Sequence, residues 1–223
     1  MNFCVLIPAH NEAKTIGALV RKIKAKGWDV VVVDDGSVDN SGKLAKDSGA
    51  VVLRNDSKSG KGFSLQKGFR YILEKGYEAV VMMDGDGQHD VEDVAGFVNR
   101  YQKSPVGIIN GNRMQNAQEM PRVRYLTNRF MSWLISVVAG QKVQDSQCGF
   151  RLVQARVLQA IELTSSDFEI ESEILIQAGR KGFKIESIPI KTIYEEEESK
   201  INPLKDTLRF IKYILREILF KHS

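Results

Sequence analysis

Four short apolar runs dominate the first 83 residues, and polar loops or segments with helical periodicity separate them. Runs of this length, bounded by turn residues, are typical of buried strands. The first segment between them places Ile16, Leu19 and Ile23 on one helical face, with Asn11 as its predicted N-cap. This strand–helix alternation predicts an α/β fold with a mostly parallel, doubly wound sheet. The predicted strands are residues 3–8, 30–33, 50–53 and 79–83.

The second half of the chain is less regular. Helices are predicted at residues 91–102 and 168–180, and strands at 106–110 and 183–190. Residues 120–139 are first basic and then apolar, and residues 203–221 predict a basic amphipathic helix. No linker separates these parts, so residues 1–223 are predicted to form a single domain.

Composition restricts the class of protein. With 223 residues, of which 43% are hydrophobic and 27% charged, the chain can bury a large core. A net charge of +4 is too small to indicate nucleic-acid binding, although it suits anionic substrates or a membrane surface. The two cysteines, Cys4 and Cys148, have no metal-ligand spacing, which indicates free thiols in a reducing compartment. Neither a signal peptide nor an apolar run of about 20 residues is evident, so a cytoplasmic protein is expected.

The sequence Asp84-Gly85-Asp86-Gly87-Gln88 directly follows the fourth predicted strand. Open α/β sheets bind ligands at the carboxyl ends of their strands. Mg²⁺ and Mn²⁺ prefer hard oxygen ligands, and Mg²⁺ commonly binds through one or two carboxylates plus substrate phosphates. We therefore interpret Asp84 and Asp86 as a divalent-metal site for a diphosphate. Taken alone, these residues would equally suit a solvated Asp-Gly turn.

Two further polar loops follow predicted strands, with Glu12 after the first strand and Asp35 after the second. In a parallel sheet these loops would line one crevice with the Asp84 loop. Carboxylates gathered there would repel one another unless they bound a base, a ribose or a metal ion. Glu12 and Asp35 therefore suit hydrogen bonds to a nucleobase or to ribose hydroxyls, although each taken singly also suits a turn.

Six motifs occur in order along the chain: Pro8-Ala9-His10-Asn11-Glu12, Val33-Asp34-Asp35-Gly36-Ser37, Gly60-Lys61-Gly62, Asp84-Gly85-Asp86-Gly87-Gln88-His89, Gly111-Asn112-Arg113 and Cys148-Gly149-Phe150-Arg151. Together they resemble the motifs of family 2 glycosyltransferases with the GT-A fold, in particular the dolichyl-phosphate mannosyltransferase or polyprenyl-phosphate glycosyltransferase type. The resemblance covers roughly the whole chain. It implies a Rossmann-like three-layer sandwich. It also implies an inverting enzyme that moves a sugar from a UDP- or GDP-linked donor to a polyprenyl or dolichyl phosphate, with Mg²⁺ or Mn²⁺.

The resemblance also implies roles for individual residues. Asp84, Asp86 and Gln88 would hold the metal and the diphosphate, and Asp86 would be essential for catalysis. Arg113 would reach the donor phosphates or the sugar, and Lys200 would close over them. The residues implied to bind the nucleotide-sugar are Pro8, Ala9, His10, Glu12, Val33, Asp35, Lys61, Asp84, Gly85 and Lys200.

The sequence departs from the family pattern at three places. His10 stands where the family commonly has Tyr, and Gly85 and Gly87 replace Ala-Leu-like residues. Residues 195–198 are all Glu, where mannosyltransferase relatives place an arginine near the diphosphate. The resemblance therefore specifies neither mannose nor GDP.

The acceptor determines what further chemistry is needed. A hydroxyl acceptor would require a general base, for which Asp145 is the leading candidate, with Glu169 and Glu171 behind it. A phosphate acceptor has a second pKa of about 6, so it arrives as an anion and needs cationic groups instead. Arg113 and Arg129 are the candidates for that role. Three other arginines have alternative readings: Arg122 and Arg124 as helix-surface charges, and Arg151 as a structural partner of Asp145.

Two segments indicate contact with a membrane surface. The predicted helix at residues 203–221 is basic and amphipathic, and residues 130–138 are apolar but too few to span a bilayer. We expect a peripheral enzyme that meets a lipid-linked acceptor at the cytoplasmic face of the membrane. A membrane-protein partner or a homo-oligomer could hold it there. Packing of residues 203–221 on the core is the alternative.

Two other functions remain open. One is transfer to a saccharide or other hydroxyl acceptor in cell-envelope polysaccharide synthesis. The other is a non-catalytic module that binds nucleotide-sugars. A sugar nucleotidyltransferase is disfavoured, because the first loop lacks a Gly-rich phosphate cradle with Arg or Lys.

Overall fold

A computed structural model describes residues 2–115, 120–191 and 213–214 of the chain. Within these residues one sheet of seven strands is flanked by helices. The strands are β1 Phe3–Ala9, β2 Asp29–Asp34, β3 Val51–Arg54, β4 Ala79–Met82, β5 Ile108–Asn112, β6 Arg151–Gln154 and β7 Ile185–Pro189. The helices are α1 Ile16–Ala25, α2 Ser41–Asp47, α3 Lys61–Glu74, α4 Asp93–Lys103, α5 Arg122–Ala139, α6 Ala155–Ala160 and α7 Ile170–Arg180.

The sheet is mostly parallel, as predicted. Its strand order is β3-β2-β1-β4-β6-β5-β7. β6 runs antiparallel to both of its neighbours, and the other pairs are parallel. The sequence did not predict β6, because its four residues begin with Arg151 and follow a polar loop. All four residues are nevertheless buried between β4 and β5.

Helices cover both faces of the sheet, which confirms the α/β fold and its three layers. Successive strand residues point to opposite faces, so β1 contributes to two separate cores. Val5 and Ile7 pack with residues of α1 and α4, whereas Cys4 and Leu6 pack with residues of α3 and α7. Both cysteines are buried free thiols.

The start of the first helix differs from its prediction. Asn11 has a φ of 56°, a left-handed conformation that asparagine adopts more readily than most residues. Its side-chain Oδ1 accepts the Val38 N–H at 3.0 Å instead of capping a helix, and α1 begins only at Ile16. Asn11 therefore ties the loop after β1 to the loop after β2.

The predicted helix at residues 203–221 lies outside the described residues, apart from Tyr213 and Ile214. These two residues are helical, and Ile214 is buried in the core that contains α3 and α7. At this position the core-packing alternative has support. Among the described residues, we find no helix with the length and apolar character needed to span a bilayer.

Candidate active site

The predicted ligand loops meet at one edge of the sheet. β2, β1 and β4 are parallel neighbours, and Ala9 lies beside Asp34 in the register. The loops are joined by hydrogen bonds from Thr15 Oγ1 to the Gly85 carbonyl at 2.6 Å and from the Asn11 N–H to Ser37 Oγ at 3.0 Å. The Asp84 loop, the Glu12 loop and the Asp35 loop are thus held side by side.

Lys61 lies at the centre of this edge. Its Nζ is 2.5 Å from Asp84 Oδ1 and 2.5 Å from Glu171 Oε1. Burial alone would lower the pKa of Lys61, but Asp84 and Glu171 together hold that pKa well above its usual range. Burial would likewise raise the pKa of Asp84, but Lys61 and then His89 hold it well below its usual range. The Asp84 carboxylate is therefore an anion that already has a cation beside it.

Asp86 has the opposite electrostatic environment. Burial, followed by the charge of Asp84, raises the pKa of Asp86 above its ordinary value. The Gln88 backbone N–H donates to Asp86 Oδ1 at 3.0 Å. The two carboxylates therefore have pKa values displaced in opposite directions, a pattern common at functional sites.

The other side of Asp84 is closely packed. His89 Nε2 lies 3.4 Å from Asp84 Oδ2. A Cβ added to Gly149 would come within 2.9 Å of Asp84 Oδ2 and 2.7 Å of Glu171 Oε1. Gly149 thus lets the loop before β6 approach these carboxylates, which explains why a glycine suits this position.

The chemistry of Asp84 and Asp86 fits a divalent ion that is shared with a substrate. The described residues contain no group of three or more His, Cys, Asp or Glu side chains arranged to hold a metal. Two carboxylates one residue apart can instead provide part of a coordination shell that substrate phosphates complete. Of the predicted metal residues, Gln88 is placed beside the pair through its backbone contact with Asp86.

Asp35 holds the loop that carries Lys61. Its Oδ1 accepts the Ser59 N–H and the Asn55 side-chain amide, at 2.9 and 2.8 Å, and its Oδ2 accepts the Gly60 N–H at 2.9 Å. These bonds fix the turn from which α3 starts at Lys61. Any contact of Asp35 with a nucleotide would be made in addition to these hydrogen bonds.

The other predicted nucleotide-binding residues occupy the same edge or its immediate support. His10 Nδ1 is 2.8 Å from the Asp35 carbonyl oxygen, and Pro8 and Glu12 are half-buried. Ala9 and Gly85 are buried. The Val33 side chain is fully buried in the core, so only its backbone could contact a nucleotide. Lys200 lies outside the described residues.

Arg113 and Asp145 bind each other. Arg113 Nε donates to Asp145 Oδ2 at 2.9 Å, Nη2 donates to Oδ1 at 3.0 Å, and the backbone N–H of Arg113 adds a bond of 3.1 Å. Asp145 is completely buried. This geometry speaks against the predicted role of Asp145 as a general base. The alternative pairing with Arg151 is wrong, because Arg151 donates to the Glu171 carbonyl at 2.7 Å and to the Cys148 carbonyl.

Arg129 is exposed on α5, where its guanidinium lies 5.7 Å from the Tyr125 ring. Arg122 and Arg124 are exposed on the same helix, in agreement with their reading as surface charges. A cavity of about 800 Å³ lies between α5 and the end of β5. Its lining includes Asn112, Tyr125, Arg129, Ser132, Trp133 and Gln144.

Comparison with known proteins agrees with this architecture. Residues 4–161 match the model of glycosyl transferase family 2. The chain belongs to this family. The matched region runs from β1 to the end of α6 and includes the Asp84–Asp86 pair, Lys61, Arg113 and Asp145.

Relatives from archaea and bacteria are similar to this chain over most of their length. An uncharacterized protein of Methanocaldococcus jannaschii is 34% identical over 86% of this chain and 82% of its own. The UDP-N-acetylglucosamine–dolichyl-phosphate N-acetylglucosaminyltransferase of Methanococcus voltae is 29% identical over 86% of each chain. The undecaprenyl-phosphate mannosyltransferase of Micrococcus luteus is 31% identical over 91% of this chain and 88% of its own.

A solved structure shows the same fold. Glucosyl-3-phosphoglycerate synthase from Mycobacterium tuberculosis, in complex with Mn²⁺, uridine diphosphate and phosphoglyceric acid, superposes with a TM-score of 0.72. The match covers 98% of this chain and 77% of the other, at 18% sequence identity. This likeness confirms the predicted GT-A-like fold.

Sequence reasoning underrated two residues of this family 2 chain. The sequence predicts Glu171 only as a further candidate for a general base, yet its carboxylate contacts Lys61 and lies 3.7 Å from Arg151 Nη2. His89 ends the motif that begins at Asp84, and the sequence predicts no role for it. One sequence signal for Glu171 is that Glu171 and Glu173 stand beside the apolar residues Ile170, Ile174 and Leu175; the structure shows that both glutamates are buried.

Proposed function

We propose that this chain is an inverting glycosyltransferase that moves a sugar from a UDP- or GDP-linked nucleotide-sugar to a polyprenyl phosphate. Membership of glycosyl transferase family 2 supports the reaction class. Two relatives support the acceptor class, because their names specify dolichyl phosphate and undecaprenyl phosphate.

One observation favours a phosphate acceptor over a hydroxyl acceptor: Asp145 is buried beneath Arg113. Both of its oxygens accept hydrogen bonds from the guanidinium, so it is poorly placed to take a proton from an acceptor. Glu171 is likewise paired with Lys61. A phosphate acceptor is already an anion near neutral pH and needs no such base.

On the donor side, Asp84 and Asp86 would hold the metal ion together with the diphosphate. A divalent ion bound there would supply Lewis-acid neutralisation of the leaving diphosphate. Lys61 brings a second positive charge to the same edge, at the start of α3. The Mn²⁺ and uridine diphosphate in the structurally similar synthase support this assignment.

On the acceptor side, Arg129 is the proposed ligand of the acceptor phosphate, together with Arg113. Arg129 lines the cavity beside α5, and Asn112, which precedes Arg113, lines the same cavity. Trp133 gives this cavity an apolar wall suited to a hydrocarbon chain. In this proposal the anionic head group lies towards Arg113 and the lipid chain lies along α5.

The outer face of α5 supports a peripheral position at the cytoplasmic face of a membrane. Five large apolar residues on this helix are exposed, and they recur at intervals of three and four so that they form one stripe. Arg122 and Arg124 are exposed next to the stripe. An apolar stripe flanked by basic residues suits an interface with anionic lipids. The stripe consists of Val123, Leu126, Phe130, Trp133 and Val137.

The test is a transfer assay with purified protein, Mn²⁺, and a panel of radiolabelled UDP- and GDP-sugars. Polyprenyl phosphate and soluble saccharides are offered as competing acceptors. We expect label in the organic phase only with polyprenyl phosphate, no transfer by Asp86→Asn, and retained transfer by Glu169→Gln. Label in a saccharide, or loss of transfer in Glu169→Gln, would instead favour a hydroxyl acceptor with a carboxylate base.

A further inference from the structure

We propose that Lys61 is the resident counter-cation of the acidic pair and competes with the divalent ion for Asp84. This inference rests on the proposed function, because it takes Asp84 and Asp86 as the metal site. Its consequence is that the ion binds weakly by itself and strongly together with a diphosphate.

Both oxygens of Asp84 have close neighbours. Oδ1 is 2.5 Å from Lys61 Nζ, and Oδ2 is 3.4 Å from His89 Nε2. A Mg²⁺ ion binds carboxylate oxygens at about 2.0–2.1 Å, so an ion on Oδ1 would lie close to the Lys61 ammonium group, and the two positive charges would repel each other. Gly149 lies on the Oδ2 side, where a side chain at this position would come within 2.9 Å of that oxygen. Binding of an ion through Oδ1 therefore requires the ammonium group to move away from that oxygen.

The backbone of Lys61 is fixed, so only its side chain can give way. The Phe63 N–H donates to the Ser166 carbonyl at 3.1 Å, and Asp35 holds Gly60 from the other side. An added Cβ on Gly60 would come within 2.6 Å of Asp167 Oδ1, which shows how tightly this turn is packed. The four-carbon side chain of Lys61 remains the flexible part.

Glu171 is a second anionic partner of Lys61. Its Oε1 lies 2.5 Å from Nζ, so Lys61 can leave Asp84 without losing all of its compensation. Glu171 itself also lies 3.7 Å from Arg151 Nη2. When a metal ion binds Asp84, Lys61 can therefore move away from Asp84 and keep its ion pair with Glu171.

A diphosphate would favour the movement of Lys61 away from Asp84. A free ion meets two carboxylates, one of which is neutralised by Lys61, and the described residues provide no third acidic, His or Cys ligand in a common group. A diphosphate supplies further oxygen ligands to the ion and offers Lys61 an anion in exchange for Asp84. Binding of the ion and of the diphosphate are then positively coupled, and by linkage each strengthens the other.

The direct test measures Mn²⁺ binding from the electron paramagnetic resonance signal of free Mn²⁺, without nucleotide and then with UDP or GDP. The variants are Lys61→Met and, as a matched control, Lys58→Met, which removes the same charge from an exposed position three residues away. Without nucleotide, we expect Lys61→Met to bind Mn²⁺ at least about tenfold more tightly than the unaltered protein, and Lys58→Met to stay within about twofold. The gain in Mn²⁺ affinity on adding a diphosphate should shrink in Lys61→Met.

A second variant covers the risk that Lys61→Met leaves Asp84 and Glu171 to repel each other. Lys61→Met/Glu171→Gln removes one charge of each sign and should show the same gain in Mn²⁺ affinity. If both variants bind Mn²⁺ no more tightly than the unaltered protein, competition at Asp84 is ruled out. The proposed function fails by a different result: absence of sugar transfer from every donor, which leaves the nucleotide-free Mn²⁺ measurement unaffected.

Discussion

The guanidinium of Arg113 binds both carboxylate oxygens of Asp145, at 2.9 Å from Nε and 3.0 Å from Nη2, and Asp145 has no exposure to solvent. A bidentate pair of this kind fixes the plane of the guanidinium. Arg113 directly follows β5, whose last residue, Asn112, lines the cavity proposed for the acceptor. The pair therefore fixes the position of the Arg113 charge. It also makes Asp145 a poor base, because both of its oxygens already accept hydrogen bonds.

Asp145→Asn should strongly destabilise the fold. Breaking a buried pair leaves an uncompensated charge, which typically costs about 3–5 kcal/mol, whereas replacing both partners with apolar residues costs much less. We expect urea denaturation to show a loss in this range for Asp145→Asn and a smaller loss for Arg113→Met/Asp145→Leu. Asp56→Asn, at an exposed site, should stay within about 0.5 kcal/mol. If Asp145→Asn were as stable as Asp56→Asn, the buried ion pair between Arg113 and Asp145 would be contradicted.

Gly62→Ala should destabilise the protein by roughly 1–3 kcal/mol through overpacking. Its Cβ would overlap the Ser165 carbonyl and come within 2.6 Å of the Ser166 carbonyl carbon and 2.9 Å of the Asp167 nitrogen. Gly96→Ala is the matched control, because this helical glycine would place its Cβ at an ordinary 3.5 Å from Ile188. Alanine there should be neutral or stabilising by up to about 1 kcal/mol. Thermal unfolding of the two variants tests this, and equal Tm values would refute the close packing at Gly62.

Asp86→Asn should stabilise the metal-free protein at neutral pH while it abolishes sugar transfer. Folding raises the pKa of Asp86. Its contribution to stability is thus present below the unfolded-state pKa of about 4 and is lost as pH rises through the raised pKa. The ionised carboxylate then opposes folding at neutral pH, and the neutral amide does not. Without metal, the Tm of Asp86→Asn should be higher than that of the unaltered protein at neutral pH and nearly equal to it at about pH 3. A lower Tm for the variant at neutral pH would contradict this prediction.

Phe130→Glu/Trp133→Glu should remove binding to anionic lipid vesicles. These two residues lie in the middle of the exposed stripe on α5, with ring centroids 5.9 Å apart. Carboxylates there would face the lipid head groups, and we expect vesicle affinity in co-sedimentation to fall by at least about tenfold. Val51→Glu changes an exposed apolar residue on β3 and should leave vesicle binding unchanged. Equal sedimentation of all three proteins would exclude α5 as the docking surface.

Much of the sheet edge that carries Glu12, Asp35 and Asp84 was predictable from the sequence, because it depends on local patterns. The apolar runs that became β1, β2 and β4 are each continuous, and polar loops follow them directly. In a parallel sheet such loops must share an edge, which the sequence analysis used to place Glu12, Asp35 and Asp84 in one crevice. The strand order β2-β1-β4, which only the structure shows, makes the three loops neighbours. β6 escaped prediction, since four residues that begin with a buried arginine have no distinctive period.

By itself, the sequence determined the α/β architecture, the loops at the carboxyl edge and the acidic pair that ends β4. The tertiary structure alone decided which charges neutralise one another: Lys61 with Asp84 and Glu171, Arg113 with Asp145, and Arg151 with backbone carbonyls. The physical reason is that hydrophobic periodicity specifies elements locally. The partner of a buried charge, in contrast, depends on which distant segments pack within about 4 Å of it.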